Sequence, residues 1–222
     1  MMQPLLPPGF ILRAAAWSDL EGIAGLIYAV CEADGDPDDA VSPAELKSEW
    51  ESPTFNPTTD AWVVTDPAGK IVGYEEVFSR SGHAVYQGDG YVHPQYLDLG
   101  VGTSLLRALD ERARLEMDRA EPGARVFIRN FMTISDREGR ALHENEGFIA
   151  VRFNWSMRIR LDAAPPAPQF PPGVEIRPFV EAEHMFLVYE AIEDAFADHW
   201  GHVKPSYETW KHHRTAPGYY EP

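Results

Sequence analysis

The chain has 222 residues, 44% of them hydrophobic and 12% aromatic, which is enough for one full domain plus part of another and excludes disorder as the default. Its 35 acidic against 19 basic side chains leave a formal net charge of -16, which argues against a nucleic-acid partner and favours cationic ones. Cys31 is the single cysteine, so no internal disulfide can form, and no apolar run is long enough for a membrane span; we therefore expect a cytoplasmic protein with no membrane partner.

Phe10-Ile11-Leu12-Arg13 reads as a first strand, and Trp17-Ser18-Asp19-Leu20 opens a helix with Ser18 or Asp19 as its cap. Leu20, Ile23, Ala24, Ile27, Tyr28 and Cys31 repeat at helical spacing and form its expected buried face, and the acidic run 32–39 is expected as a solvated loop. Ser42-Pro43-Ala44-Glu45 starts a second helix that ends near Trp50. Residues 61–65 and 71–78 read as a hairpin around Asp66-Pro67-Ala68-Gly69, and 86–92 as a fourth strand stopped by Pro94.

The next stretch, Tyr91-Val92-His93-Pro94-Gln95-Tyr96-Leu97-Asp98-Leu99-Gly100-Val101-Gly102-Thr103-Ser104-Leu105-Leu106, reads as strand, tight turn and helix. Gly100 and Gly102 fall in the expected first turn of that helix, where glycine is costly unless something approaches closely. Bare amides at the positive end of a helix suit a phosphate group. A P-loop is excluded because no Lys follows Gly102, and a dinucleotide fingerprint because Leu105 stands where its third glycine belongs. A helix that merely begins with two glycines remains as the plain alternative.

Leu97-Asp98-Leu99-Gly100-Val101-Gly102 resembles the acetyl-CoA loop of the GNAT N-acetyltransferase superfamily, with Leu97 where that family has Gln or Arg. Downstream, residues 124–129 read as a strand, 135–144 as a helix capped by Ser135 or Asp136, and 150–161 as a long final strand. His143-Glu144-Asn145-Glu146-Gly147-Phe148 resembles the family's closing Tyr-x-x-x-Gly-Phe, with His143 in the tyrosine position and Asp136 where an Asn is common. The resemblance implies the GNAT fold over residues 1–161: α/β (α+β), a mixed, mostly antiparallel sheet flanked by helices.

A Pro-rich linker, 162–173, follows, and then the opening pattern returns. Val174-Glu175-Ile176-Arg177-Pro178 echoes the first strand, 186–196 the first helix and 206–213 the second, so 174–222 resembles a partial second GNAT unit of one strand and two helices. Tandem members of the family such as the mycothiol synthases show this arrangement. So small a unit cannot bury its apolar face alone. It is expected to pack on the first domain, or on a second copy of the chain as a homodimer, or to be the start of a longer second domain.

The resemblance further implies acyl transfer from acetyl-CoA to a primary amine of a small molecule, by direct attack in a ternary complex. Tyr91, Val92 and His93 would line the acyl groove with backbone N–H groups, and Leu97, Asp98, Leu99, Gly100, Val101, Gly102, Thr103, Ser104 and Asp136 would hold the cosubstrate. Glu75, Glu76 and Asp89 are the acids nearest the groove, with Glu76 and Asp89 as base candidates, and His143 is the candidate acid for the leaving thiolate. His199, His202, His212 and His213 invite a metal reading, but no Cys or spaced carboxylate pair joins them and no metal is expected. A GNAT-like module that binds acyl-CoA without catalysis is the alternative function.

Overall fold

The computed structural model describes residues 6–80, 83–155, 157, 159–200, 202 and 204–215. The elements are β1 (Ile11–Ala14), α1 (Leu20–Asp34), α2 (Pro43–Trp50), α3 (Pro57–Asp60), β2 (Ala61–Thr65), β3 (Ile71–Arg80), β4 (Val85–Val92), α4 (Val101–Glu116), β5 (Phe127–Asn130), α5 (Arg137–Asn145), α6 (Glu181–Ala195) and α7 (Tyr207–Arg214). The five strands form one sheet in the order β1-β2-β3-β4-β5, antiparallel except for the parallel β4/β5 pair. The crossover between those two parallel strands contains α4.

One face of the sheet carries α4. Val101, Leu105, Leu106, Leu109 and Ala113 of α4 are buried at helical spacing. Gly73 lets the helix settle on β3, since a Cβ there would stand 2.5 Å from Val101 and 2.9 Å from Leu105. The other face carries α1 and α2, where Ile23, Ile27, Leu46, Trp50 and Tyr74 share a core cluster. The two faces alternate along β3: Gly73 and Val77 pack toward α4, and Tyr74 and Phe78 toward α1 and α2. Cys31 packs at the edge of the α1 cluster as a small apolar side chain.

Several expectations from the sequence change here. Asp19 does not cap α1 with its side chain; residues 17–19 form a 3-10 turn, and the Asp19 carboxylate instead accepts from Ala16 N at 2.8 Å and from Arg13 at 2.6 and 2.9 Å. Tyr28 is 49% exposed rather than buried. The acidic run is partly helical, since α1 continues to Asp34 and is closed by Gly35 at φ 85°. The second helix keeps its expected bounds, with Ser42 and Glu45 forming a reciprocal capping box. Gly100 is the cap of α4 at φ 76°, just outside the helix, and Asp136 caps α5 by accepting from Gly139 N at 2.8 Å.

The largest difference is in the second half of the chain. No described residue in 150–161 or 174–178 pairs as a strand, and the alternating apolar side chains there stand in solvent, Trp155 at 86% exposure. Alternation alone makes a strand only where a neighbour offers a ladder, and β5, the adjoining edge, is four residues long. Among the described residues of 174–222 only the helices α6 and α7 form. Tyr189 and Trp210 are buried with Met185 in a cluster of their own, and the Tyr189 hydroxyl donates to Pro205 O at 2.8 Å. His212 Nε2 donates to Ser48 O at 2.8 Å, which seats α7 on α2 of the same chain. Among the described residues no helix is long and apolar enough to cross a membrane.

Candidate active site

β4 and β5 pair only from Val85/Phe127 to Gly88/Asn130, while β4 stays paired with β3 as far as Val92/Gly73. The sheet therefore opens after Gly88 into a groove between the two strands. Amides on successive strand residues point to opposite edges. His93 N donates to Val72 O at 3.0 Å, which turns the His93 amide, and by alternation that of Tyr91, toward β3. Of the three amides expected in the groove, only Val92 faces it, and Gly90, which the sequence reading missed, faces it too.

The α4 turn lies at the end of β4. Gly100 adopts φ 76° and Asp98 φ 60°, and no side chain caps α4, so the first-turn amides of Val101, Gly102 and Thr103 have neither a capping side chain nor an intrahelical acceptor. Ser104 does not point its hydroxyl outward; it donates back to Gly100 O at 2.9 Å. A Cβ on Gly102 would stand 2.8 Å from Leu142 of α5, so that glycine also permits close contact between the two helices. Leu97 and Leu99 are exposed beside this turn. Arg107 holds α5 against α4 through two 2.8 Å bonds to Glu146, within the closing motif.

His143 is placed differently from its expected part. Its Nδ1 lies 2.7 Å from Gly139 O and must carry the proton, because a carbonyl only accepts. Nε2 then accepts from Asn130 Nδ2 at 2.9 Å, so the ring offers no N–H to the groove. The ring edge packs on Phe148 with centroids 5.1 Å apart.

The carboxylates separate by strand parity. Glu75 lies on the α4 face against Gly88 and Gly90, where a Cβ on Gly90 would stand 2.2 Å from its Oε2. It is 4% exposed, its Oε1 has no hydrogen-bond partner, and burial pushes its pKa well up, with Asp89 and Glu76 adding to the effect. Glu76 and Asp89 lie on the opposite face and line a cavity of about 350 Å³ with Glu49, Phe78, Gln87, Tyr91, Phe131 and His213. Burial pushes Glu76 up to about 8, against the hydrogen bond from Tyr74, whose hydroxyl lies 2.5 Å from Oε2. Trp50 Nε1 donates to that hydroxyl oxygen at 3.0 Å. Asp89 is solvent-accessible through the cavity yet enclosed by protein; burial raises its pKa, and the Tyr91 hydroxyl, donating at 3.0 Å, opposes the rise.

A splayed β4/β5 pair thus lies with an uncapped helix start and a carboxylate-lined cavity. The model of the Acetyltransferase (GNAT) family matches residues 27–125, from α1 through α4 to the approach of β5. Residues 27–125 are a GNAT acetyltransferase domain. A GCN5-related N-acetyltransferase from Sphaerobacter thermophilus superposes with a TM-score of 0.77 at 35% identity, over 93% of this chain and 63% of that one. Mycothiol acetyltransferase from Cellulomonas flavigena is 31% identical over 182 residues, and that from Amycolatopsis mediterranei 30% over 185. Each match covers 81% of this chain but only 49% and 54% of the relative, so the chain spans about half the length of the curated relatives it matches. Besides Gly90, sequence reasoning missed Trp50, Tyr74, Asn130 and His213 at this candidate site. Tyr74 carried a signal, since two residues along a strand share a face with Glu76, whereas His213 carried none. His199 and His202 hold no metal cluster among the described residues; His202 pairs with Glu193 at 2.9 Å.

Proposed function

We propose that this chain transfers an acetyl group from acetyl-CoA to the primary amine of a small molecule. The supporting observation is the position of the groove: the Val92 and Gly90 amides lie between the uncapped start of α4 and the raised carboxylate of Glu76. The turn 97–104 fits a diphosphate because its first-turn amides and the α4 dipole both favour negative charge, and Asp136 holds the start of α5 beside it. When bound there, acetyl-CoA supplies an activated acyl group.

The remaining chemistry belongs to the protein. Glu49, Glu76 and Asp89 draw an ammonium acceptor into the cavity. Glu76, with its pKa near 8, takes a proton from the amine directly or through one water. The neutral nitrogen attacks the thioester carbon, and the Val92 amide meets the negative charge that grows on the carbonyl oxygen. The C–S bond breaks as the C–N bond forms, the nitrogen gives up its second proton to solvent, and the thiolate takes one from solvent. His143 positions Asn130 at the mouth of the groove in this scheme, since its Nδ1 proton is held by Gly139 O. Holding both reactants in line supplies much of the rate, without a covalent enzyme intermediate.

The test uses the full chain. Coenzyme A should raise the melting temperature, and an amine panel should release thiol from acetyl-CoA. No melting shift at saturating coenzyme A removes the cosubstrate, and a shift without thiol release leaves the non-catalytic binding module.

A further inference from the structure

We propose that α7 is the outer wall of the acceptor pocket and that His213 sets which amines the pocket admits, an inference that rests on the transferase reading above. The cavity around Glu76 and Asp89 draws its other lining from α1, α2, β3, β4 and the segment after β5, and His213 joins that lining from the far end of the chain. Three residues of α7 face three different surroundings, as the 100° step of a helix allows. Trp210 turns to Met185 and Tyr189 of α6, His212 donates to Ser48 O across a separation of 164 residues, and His213 faces the cavity.

The placement of α7 is therefore held from two sides. Ser206 caps its start by accepting from Thr209 N at 3.2 Å, and buried Trp210 ties it to α6. Charge supports the same seating: Lys211, His212, His213 and Arg214 crowd the last turn of α7, and the pocket it borders carries Glu49, Glu76 and Asp89. Removing α7 would leave that side of the cavity open to water.

The chemistry of the wall limits the acceptor. Three carboxylates bind an ammonium, and a space of about 350 Å³ takes a compact molecule. An imidazole in the same lining matches a second N–H or O–H on the same molecule. The acceptor class is thus a small amine with a second polar group at its other end, and the distance between the two groups is what His213 measures.

Relative kcat/KM for putrescine and spermidine, with acetyl-CoA, reads this out. In His213→Ala the ratio should move toward spermidine by roughly tenfold, in His213→Trp it should move the other way, and KM for acetyl-CoA should stay fixed in both. Ratios equal to those of the unmodified chain in both variants would overturn the proposal. A second measurement needs no variant activity. With isotope-labelled histidine in the unmodified chain, putrescine should shift the ring signals of His213, assigned by their loss in His213→Ala, while those of His83 beside Glu116 stay put. Putrescine that shifts His213 in a chain releasing no thiol keeps the wall and ends the transferase reading. Transfer with His213 signals unmoved does the reverse, and no shift at saturating putrescine overturns the wall outright.

Discussion

The Tyr74 hydroxyl donates to Glu76 Oε2 at 2.5 Å while its oxygen accepts from Trp50 Nε1 at 3.0 Å. A buried carboxyl is thereby held at one orientation with its pKa near 8. Because the folded value is raised above the ordinary 4.5, the unfolded chain ionises first as pH rises. The stability contributed by this group is full below about pH 4.5 and is lost progressively up to about pH 8. Glu76→Gln should abolish that loss, so its melting temperature should gain on the unmodified chain at pH 8 and not at pH 4. Transfer, which needs the ionised form, should rise with pH to a plateau above pH 8, and the variant should lack the rise.

Tyr74→Phe separates the hydrogen bond from the ring. The lost donor had lowered the Glu76 pKa, so the activity midpoint should move to higher pH. Trp50 Nε1 also loses its acceptor in a buried site, a cost of about 1–3 kcal/mol. A denaturant melt and a pH–rate profile check the two effects, and a midpoint that stays put would remove the coupling.

Thr103→Glu tests the phosphate seat without straining the fold. A carboxylate in the first turn of α4 complements the helix dipole and should change stability by about 0.3–1 kcal/mol in the favourable direction. The same charge opposes a diphosphate, so coenzyme A affinity should fall by about tenfold or more. Calorimetric titration beside a thermal melt distinguishes lost binding from lost folding.

Gly88→Ala probes the point where β4 leaves β5. The new methyl would stand 2.3 Å from Leu109 Cδ1, 2.6 Å from Asn130 Oδ1 and 3.0 Å from Glu75 Oε1, all side chains packed around the strand. Overpacking of this kind costs about 1–3 kcal/mol. Urea unfolding should show it, and displacement of Asn130 should lower kcat while KM for the amine changes little.

Local chemistry carries much of this architecture on its face. Ser42-Pro43-Ala44-Glu45 holds its own capping box, Asp66-Pro67-Ala68-Gly69 makes its own turn, and α4 shows its buried side in the spacing of Leu105, Leu106, Leu109 and Ala113. These features depend on contacts a few residues apart, which is why they can be read along the chain. The α4 turn was legible for the same reason, since a left-handed cap needs glycine at position 100.

What the chain order hides is pairing between distant segments. Alternation in residues 150–161 promised a strand, but a ladder needs a neighbouring edge, and β5 supplies four residues. Strand parity sent Glu75 and Glu76 to opposite faces, and the register against Val72 turned the His93 amide out of the groove. Asn130 met the remaining ring nitrogen of His143, and a helix 164 residues beyond Ser48 in the contact it makes brought His213 to the cavity. The residues 1–161 thus announced the glycine turn before α4 and a supply of acids by themselves. Which acids line the cavity, which amides face the groove and which helix borders the cavity were decided by packing, because each depends on surfaces that meet only when the chain is folded.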